Sequence, residues 1–157
     1  MTPPIYRKIL VPIDGSTTSN LGLREALRFA KGHRSRLLLL HVLDEYYVFA
    51  SGEPSPYIDE IIESMRRTGG RVVERAMALA RRRGIKAQAA TVESMTGGAA
   101  GPIVRQARKW GADLIVLGTH GRRGIRRAVM GSDAEQVVRN APVPVLLVRA
   151  KTPRRGR

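Results

Sequence analysis

The sequence predicts a doubly wound α/β domain over residues 1–150, with a five-stranded parallel sheet and helices on both faces. Three observations carry this expectation. Apolar runs of strand length alternate along the chain with segments whose apolar residues recur at the helical period. Apart from Arg36, His41 and Asp113, the runs at 36–43 and 113–117 are apolar throughout rather than alternating, as in strands covered by helices on both sides. Turn residues separate the segments, among them Gly15, Gly32, Gly84, Gly111 and Pro142. Strand–helix–strand units of this kind build parallel sheets.

Residues 5–13 are β-rich and end at the turn signal Asp14-Gly15-Ser16. From 17 to 31, Leu23, Ala26, Leu27 and Ala30 take helical spacing, Thr and Ser offer caps, and Gly32 ends the helix. Residues 36–43 form the second strand, and 44–57, with Gly52, Pro54 and Pro56, read as a loop. The clearest helix opens at Ile58: Ile61, Ile62, Met65, Gly69, Val72, Val73, Ala76, Leu79 and Ala80 repeat at the 3.6 period up to Gly84. A weaker, alanine-rich strand at 86–93 and a glycine-rich loop at 96–101 follow. Pro102 suits the first turn of a helix ending near Trp110 and Gly111. The fourth strand is 113–117, the last helix 132–140 and the last strand 143–148, where Pro142 and Pro144 suggest an edge position. That makes five strands and four helices, followed by a basic tail at 151–157 expected to be disordered.

Composition narrows the function. A chain of 157 residues fits one domain, and folding at this size buries about two-thirds of the unfolded surface. No apolar run approaches the roughly 20 residues of a membrane span. The chain goes straight into Ile5-Tyr6-Arg7-Lys8-Ile9-Leu10-Val11 without a signal-type apolar stretch, so cytoplasmic residence with no membrane partner is the expectation. Without cysteine, disulfides, thiolate chemistry and Cys-based zinc sites are excluded. The net charge is +15, and all but five of the 28 basic residues are Arg, dispersed in short groups such as Arg66-Arg67 and Arg81-Arg82-Arg83. Charge without interleaved aromatics permits but does not favour dedicated nucleic-acid binding. Solvated surface charge is the simpler account.

The functional signal lies after the fourth strand. Gly118-Thr119-His120-Gly121 and, nine residues on, Gly131-Ser132 lead into the last helix. A strand that opens into a glycine-punctuated loop and a helix start can hold an anion, because glycines let the backbone approach and first-turn N–H groups point at the charge. The spacing matches neither the dinucleotide fingerprint nor the P-loop. In open α/β sheets ligands sit beyond the carboxyl ends of strands, where strand order reverses. If the first and fourth strands are neighbours there, Asp14 and the glycine loop converge on one crevice.

These residues resemble the universal stress protein family, in its ATP-binding branch. The resemblance rests on Lys8-Ile9-Leu10-Val11-Pro12-Ile13-Asp14-Gly15-Ser16, on Leu40-His41-Val42-Leu43-Asp44, and on the stretch from Gly111 through Asp113-Leu114-Ile115-Val116-Leu117 to Gly121. It ends in Gly131-Ser132 and Ala141-Pro142-Val143-Pro144-Val145-Leu146-Leu147-Val148, so nearly the whole chain is covered. It implies strand order 3-2-1-4-5 and a homodimer through the last strand. By the same resemblance Asp14 accepts hydrogen bonds from the ribose hydroxyls, Pro12 and Ile13 line the adenosine pocket, and the Val42 main chain reads the adenine edge. Leu117 packs near the base, Gly118 lies against the ribose, and Gly121, Gly131, Ser132 and the N–H of Asp133 hold the phosphates.

Each assignment has a simpler competitor. Asp14 before Gly-Ser is also a turn cap, Gly118, Gly121 and Gly131 also serve turn geometry, and Ser132 also serves as an N-cap. Val42 and Leu117 are sheet residues on any account. His120 has no evident nucleophile or carboxylate partner to make it a base, and Arg122 and Arg123 either neutralise phosphate or are simply solvated. Asp133 sets a carboxylate beside the cradle, which suits the helix dipole but repels a triphosphate unless Mg²⁺ bridges the two. Phosphoryl transfer needs a positioned base and a metal clamp, and the sequence offers neither a P-loop Lys nor an assignable base. The expected function is therefore an ATP-binding stress regulator, with ATP carrying Mg²⁺ where it does, rather than a turnover enzyme. The alternatives are an adaptor of the same fold with a vestigial site, or a binder of AMP or cyclic AMP.

Overall fold

A computed structural model of the chain describes residues 6–50, 52, 56–119 and 130–150. Its sheet has five strands in the order β3-β2-β1-β4-β5, formed by β1 (Lys8–Pro12), β2 (Arg36–Asp44), β3 (Ala87–Ser94), β4 (Leu114–Gly118) and β5 (Val145–Val148). All four pairings are parallel, as expected. Ile9 faces Leu37 on one side and Leu114 on the other, so β1 is central. β5 is an edge strand, and it begins at Val145 rather than 143.

The helices are α1 (Thr17–His33), α2 (Tyr46–Phe49), α3 (Ile58–Arg82), α4 (Ala100–Trp110) and α5 (Ser132–Asn140). Two differences from the sequence expectation have physical causes. Helix α1 runs through Gly32 and ends at Arg34, which takes the left-handed conformation (φ 55°) while its N–H donates to the Ala30 carbonyl. An isolated glycine inside a helix costs only about 1 kcal/mol against alanine, too little to stop a helix whose apolar stripe is buried. The 44–57 loop contains α2, a single turn closed by Ala50 N–H donating to the Tyr46 carbonyl (2.8 Å). Other boundaries move by a residue or two, and β1 starts at Lys8 rather than Ile5. Asp113 ends outside β4 because its carboxylate accepts from the Arg7 and Lys8 N–H groups (2.9 and 3.0 Å), stapling the entry of β4 to the start of β1. The 151–157 tail lies outside the described residues.

The continuous apolar runs of β1, β2 and β4 feed two cores. Ile9, Val11, Leu37, Leu39, Leu114 and Val116 meet Leu23, Ala26, Leu27, Ala76 and Ala80 of α1 and α3 on one face. Leu10, Leu38, Leu40, Ile115 and Leu117 meet Ile103, Ala107, Ala134 and Val137 of α4 and α5 on the other. Leu37 to Leu40 therefore alternate between faces although all four are apolar. Each contributes roughly 1.5–3 kcal/mol of burial. The chain leaves β1 toward one face, into α1, and reaches the opposite face through α5 after β4. The adjacent strands β1 and β4 thus define the switch point, and a crevice opens beyond their carboxyl ends.

Candidate functional site

A cavity of about 650 Å³ occupies that crevice, within the roughly 300–1,000 Å³ typical of small-molecule sites. Its walls include Pro12, Ile13 and Asp14 from the end of β1, Val42 from β2, Leu117 and Gly118 from β4, and Gly131, Ser132 and Asp133 at the start of α5. Nine of the ten candidate residues thus come together around one space. The tenth, Gly121, lies outside the described residues, as do His120, Arg122 and Arg123.

At the β1 end, Asp14 is held by the following turn. Its Oδ1 accepts from Ser16 N–H (2.9 Å) and its own N–H donates to Ser19 Oγ (3.1 Å). Ser16 caps α1, its Oγ accepting from Ser19 N–H (3.2 Å). The turn-capping role is therefore real, and it also fixes a carboxylate on the cavity wall. Ile13 is bonded on both sides: its N–H donates to the Leu40 carbonyl (2.8 Å), and its carbonyl lies 2.9 Å from His41 Nδ1. His41 is buried, and its other ring edge leaves no room for a side chain at Gly69 of α3, where a Cβ would stand 2.5 Å from Nε2.

Gly118 answers to packing first. A Cβ there would stand 2.5 Å from the Thr18 carbonyl oxygen, because the first turn of α1 lies directly against the end of β4. That approach brings the Asp14 turn and the β4 loop to one crevice. Beyond β4, Gly131 N–H donates to the Thr119 carbonyl (2.8 Å), which ties the entry of α5 to the sheet. The N-cap of α5 is Gly131, extended at φ −64°, ψ 153°, and Ser132 is the first helical residue. The N-cap role weighed for Ser132 thus falls to a residue with no side chain, so the cap supplies no acceptor to the first-turn N–H groups. That end of the cavity carries the positive end of a helix dipole.

The Asp133 carboxylate reaches from this helix start to the loop before α4 on the same cavity wall. Its Oδ1 accepts from Ala99 and Ala100 N–H (2.9 and 3.4 Å) and so caps α4 from the neighbouring helix. Ala99, the N-cap of α4, makes no side-chain cap of its own. The carboxylate thus complements a second helix N-terminus, while Asp133 N–H stays in the first turn of α5.

Several wall residues had no sequence signal as ligand groups: Asp44, Tyr46 and Tyr47 after β2, Ser64, Met65 and Thr68 of α3, and Gly97, Gly98 and Ala99 before α4. Asp44 organises this side, its Oδ2 accepting from Gly98 N–H (2.9 Å). Next to it, Glu45 is buried, and its Oε1 has no hydrogen-bond partner among the described residues. Its counter-charge is Arg66, whose Nη2 lies 3.6 Å from Glu45 and 3.0 Å from Glu93, pinning α3 over the ends of β2 and β3. The Glu93 hydrogen bond, with the charges of Glu93, Glu45 and Glu63 behind it, raises the Arg66 guanidinium above its ordinary value. Among the described residues no three His, Asp or Glu side chains gather to hold a metal, and no helix is long and apolar enough to cross a membrane.

A doubly wound parallel sheet with a walled cavity at its switch point, a fixed carboxylate on one side and a glycine-capped helix start on the other defines an α/β domain with a ligand-sized crevice beyond its strand ends. The chain belongs to the universal stress protein family, whose profile matches residues 5–149. It is 34% identical over 146 residues to universal stress protein MJ0531 of Methanocaldococcus jannaschii, covering 92% of this chain and 83% of that one. It is 33% identical over 151 residues to YxiE of Bacillus subtilis, covering 92% of this chain and all of the relative. Among solved structures, hypothetical protein MJ0577 superposes with a TM-score of 0.83 at 26% identity, covering 95% of this chain and 99% of that one. More distant members share the fold, one solved with cAMP (TM-score 0.63, 21% identity, 93% and 98% covered) and one from Archaeoglobus fulgidus with dAMP (0.64, 24%, 92% and 99%).

Proposed function

We propose that the chain binds an adenine nucleotide, ATP foremost, in the β1–β4 cavity and acts as a nucleotide-responsive stress regulator. The observation that carries this is the polarity of the cavity. A turn-fixed carboxylate, Asp14, faces the ribose position, and the glycine-capped start of α5, with the Ser132 hydroxyl, faces the phosphates. The Val42 main chain and Leu117 supply the base end. The distant family members solved with cAMP and dAMP support an adenine nucleotide. The Ala99 and Ala100 N–H groups and the start of α4 offset part of the Asp133 charge, which eases its repulsion of a triphosphate. Any Mg²⁺ would come with the phosphates, which usually supply much of its oxygen shell.

In this reading the protein is a binder rather than a turnover enzyme, works in the cytoplasm, and pairs with a second copy through β5, whose edge leaves Leu146 exposed. Asp14→Asn tests the ribose contact, because the amide oxygen can still accept from Ser16 N–H while the charge is lost. Hydrogen bonds to charged groups are worth roughly 1.5–3 kcal/mol, so ATP affinity is expected to fall about tenfold or more. Affinity unchanged by Asp14→Asn would move the ribose elsewhere. An adaptor with a vestigial site predicts instead that gently purified protein carries no nucleotide by mass spectrometry and binds none added.

A further inference from the structure

We infer that the edge-to-face pair Tyr46–Tyr47 presents an aromatic face against which the base of the bound nucleotide stacks, an inference that rests on the nucleotide reading above. The chain is poor in aromatics, with one Trp, four Tyr and two Phe. Yet Tyr46 and Tyr47 stand side by side on α2 at 41% and 58% exposure, and both line the cavity. Large apolar surface left in water at a cavity wall is surface available to a ligand.

The two rings are held in place. They meet edge to face, with centroids 5.3 Å apart and planes at 87°. Tyr46 is backed by the loop before α4, its Cδ1 lying 3.2 Å from where a Cβ on Gly97 would stand. One carboxylate fastens both supports: Asp44 Oδ1 accepts from Tyr46 N–H (3.3 Å) and Oδ2 from Gly98 N–H (2.9 Å). An aromatic surface ordered before the ligand arrives loses little entropy on binding.

The chemistry of the rings fits a base better than the charged end of a nucleotide. Both tyrosines follow β2 within a few residues of Val42 and line the same cavity as its main chain. An aromatic face attracts a flat π-system and has no such purchase on ribose or phosphate. Base–aromatic stacking is worth roughly a 5- to 150-fold gain in affinity.

The test compares ATP with ribose 5-triphosphate, which keeps the sugar and phosphates but has no base, by calorimetric titration of the full chain. Wild type is expected to prefer ATP. Tyr46→Ala/Tyr47→Ala should cut the ratio of the two affinities at least about fivefold, while Tyr46→Phe/Tyr47→Phe keeps it. Should the alanine variant fail to fold, Tyr46→Leu/Tyr47→Leu removes the π-faces while keeping apolar bulk, and is read in the same way. An unchanged ratio in a variant that still binds ATP overturns the stacking, as does wild type binding both ligands equally. Wild type binding neither overturns the nucleotide reading itself.

Discussion

Gly118→Ala tests whether the crevice depends on contact between α1 and β4. The added Cβ would stand 2.5 Å from the Thr18 carbonyl oxygen, 2.6 Å from its carbonyl carbon and 2.9 Å from its Cβ. Unstrained contacts between such atoms begin near about 3.5 Å, so the two elements must part by up to roughly 1 Å. No rotamer change can relieve this, because the closest opposing atoms are backbone. The neighbouring contact is also tight, though less so: a Cβ on Gly22 of α1 would stand 3.2 Å from Gly118 N and 3.3 Å from the Leu117 carbonyl carbon. Overpacking of a core costs about 1–3 kcal/mol, and a backbone clash belongs in the upper half of that range. With urea m-values of about 1–3 kcal/mol/M for small proteins, the midpoint of urea unfolding should fall by roughly 1 M. ATP affinity should fall with it, since the displaced α1 carries the Asp14 turn away from Ser132. A midpoint unchanged within experimental error would refute the claim that close packing, rather than a ligand, requires glycine at this position.

Three further outcomes follow from the same geometry. Gly32→Ala, in the last turn of α1 with nothing within 4 Å of the added Cβ, should raise stability by up to about 0.5–1 kcal/mol in the same urea assay. Asp133→Ala removes the cap of α4 and should cost about 0.5–2 kcal/mol without tightening ATP binding; a marked gain in affinity would mean that the carboxylate faces the phosphates. Arg66→Ala strips the buried Glu45 of its counter-charge and should lower the melting temperature. Glu45→Gln in the Arg66→Ala background should recover part of that loss, because it removes the unpaired charge; no recovery would place the role of Arg66 at Glu93 instead.

Much of the fold was legible because the signals were local and redundant. Continuous apolar runs at β2 and β4 required cover on both faces, and the long stripe of α3 repeated over many turns. The convergence of Asp14 with the start of α5 followed from topology once β1 and β4 were neighbours. What escaped were features made by contacts between distant segments. Gly32 read as a stop because glycine often punctuates a helix, but the buried stripe of α1 outweighs its propensity. One turn of helix, α2, is too short for periodicity to register, so its tyrosines passed as loop. Helical periodicity marked Met65 as core, but it says nothing of Ser64 and Thr68 beside the cavity. The direction of the Asp133 carboxylate was invisible, because its partners Ala99 and Ala100 lie more than thirty residues away.

The central claim is that this cavity takes an adenine nucleotide, and the most direct test is calorimetric titration of the purified 157-residue chain with ATP in the presence of Mg²⁺. The account predicts saturable binding with one nucleotide per chain, displaced by competing AMP or cAMP and weakened by Asp14→Asn. No saturable binding at millimolar ATP, by protein shown to be folded and free of co-purified nucleotide, would contradict it.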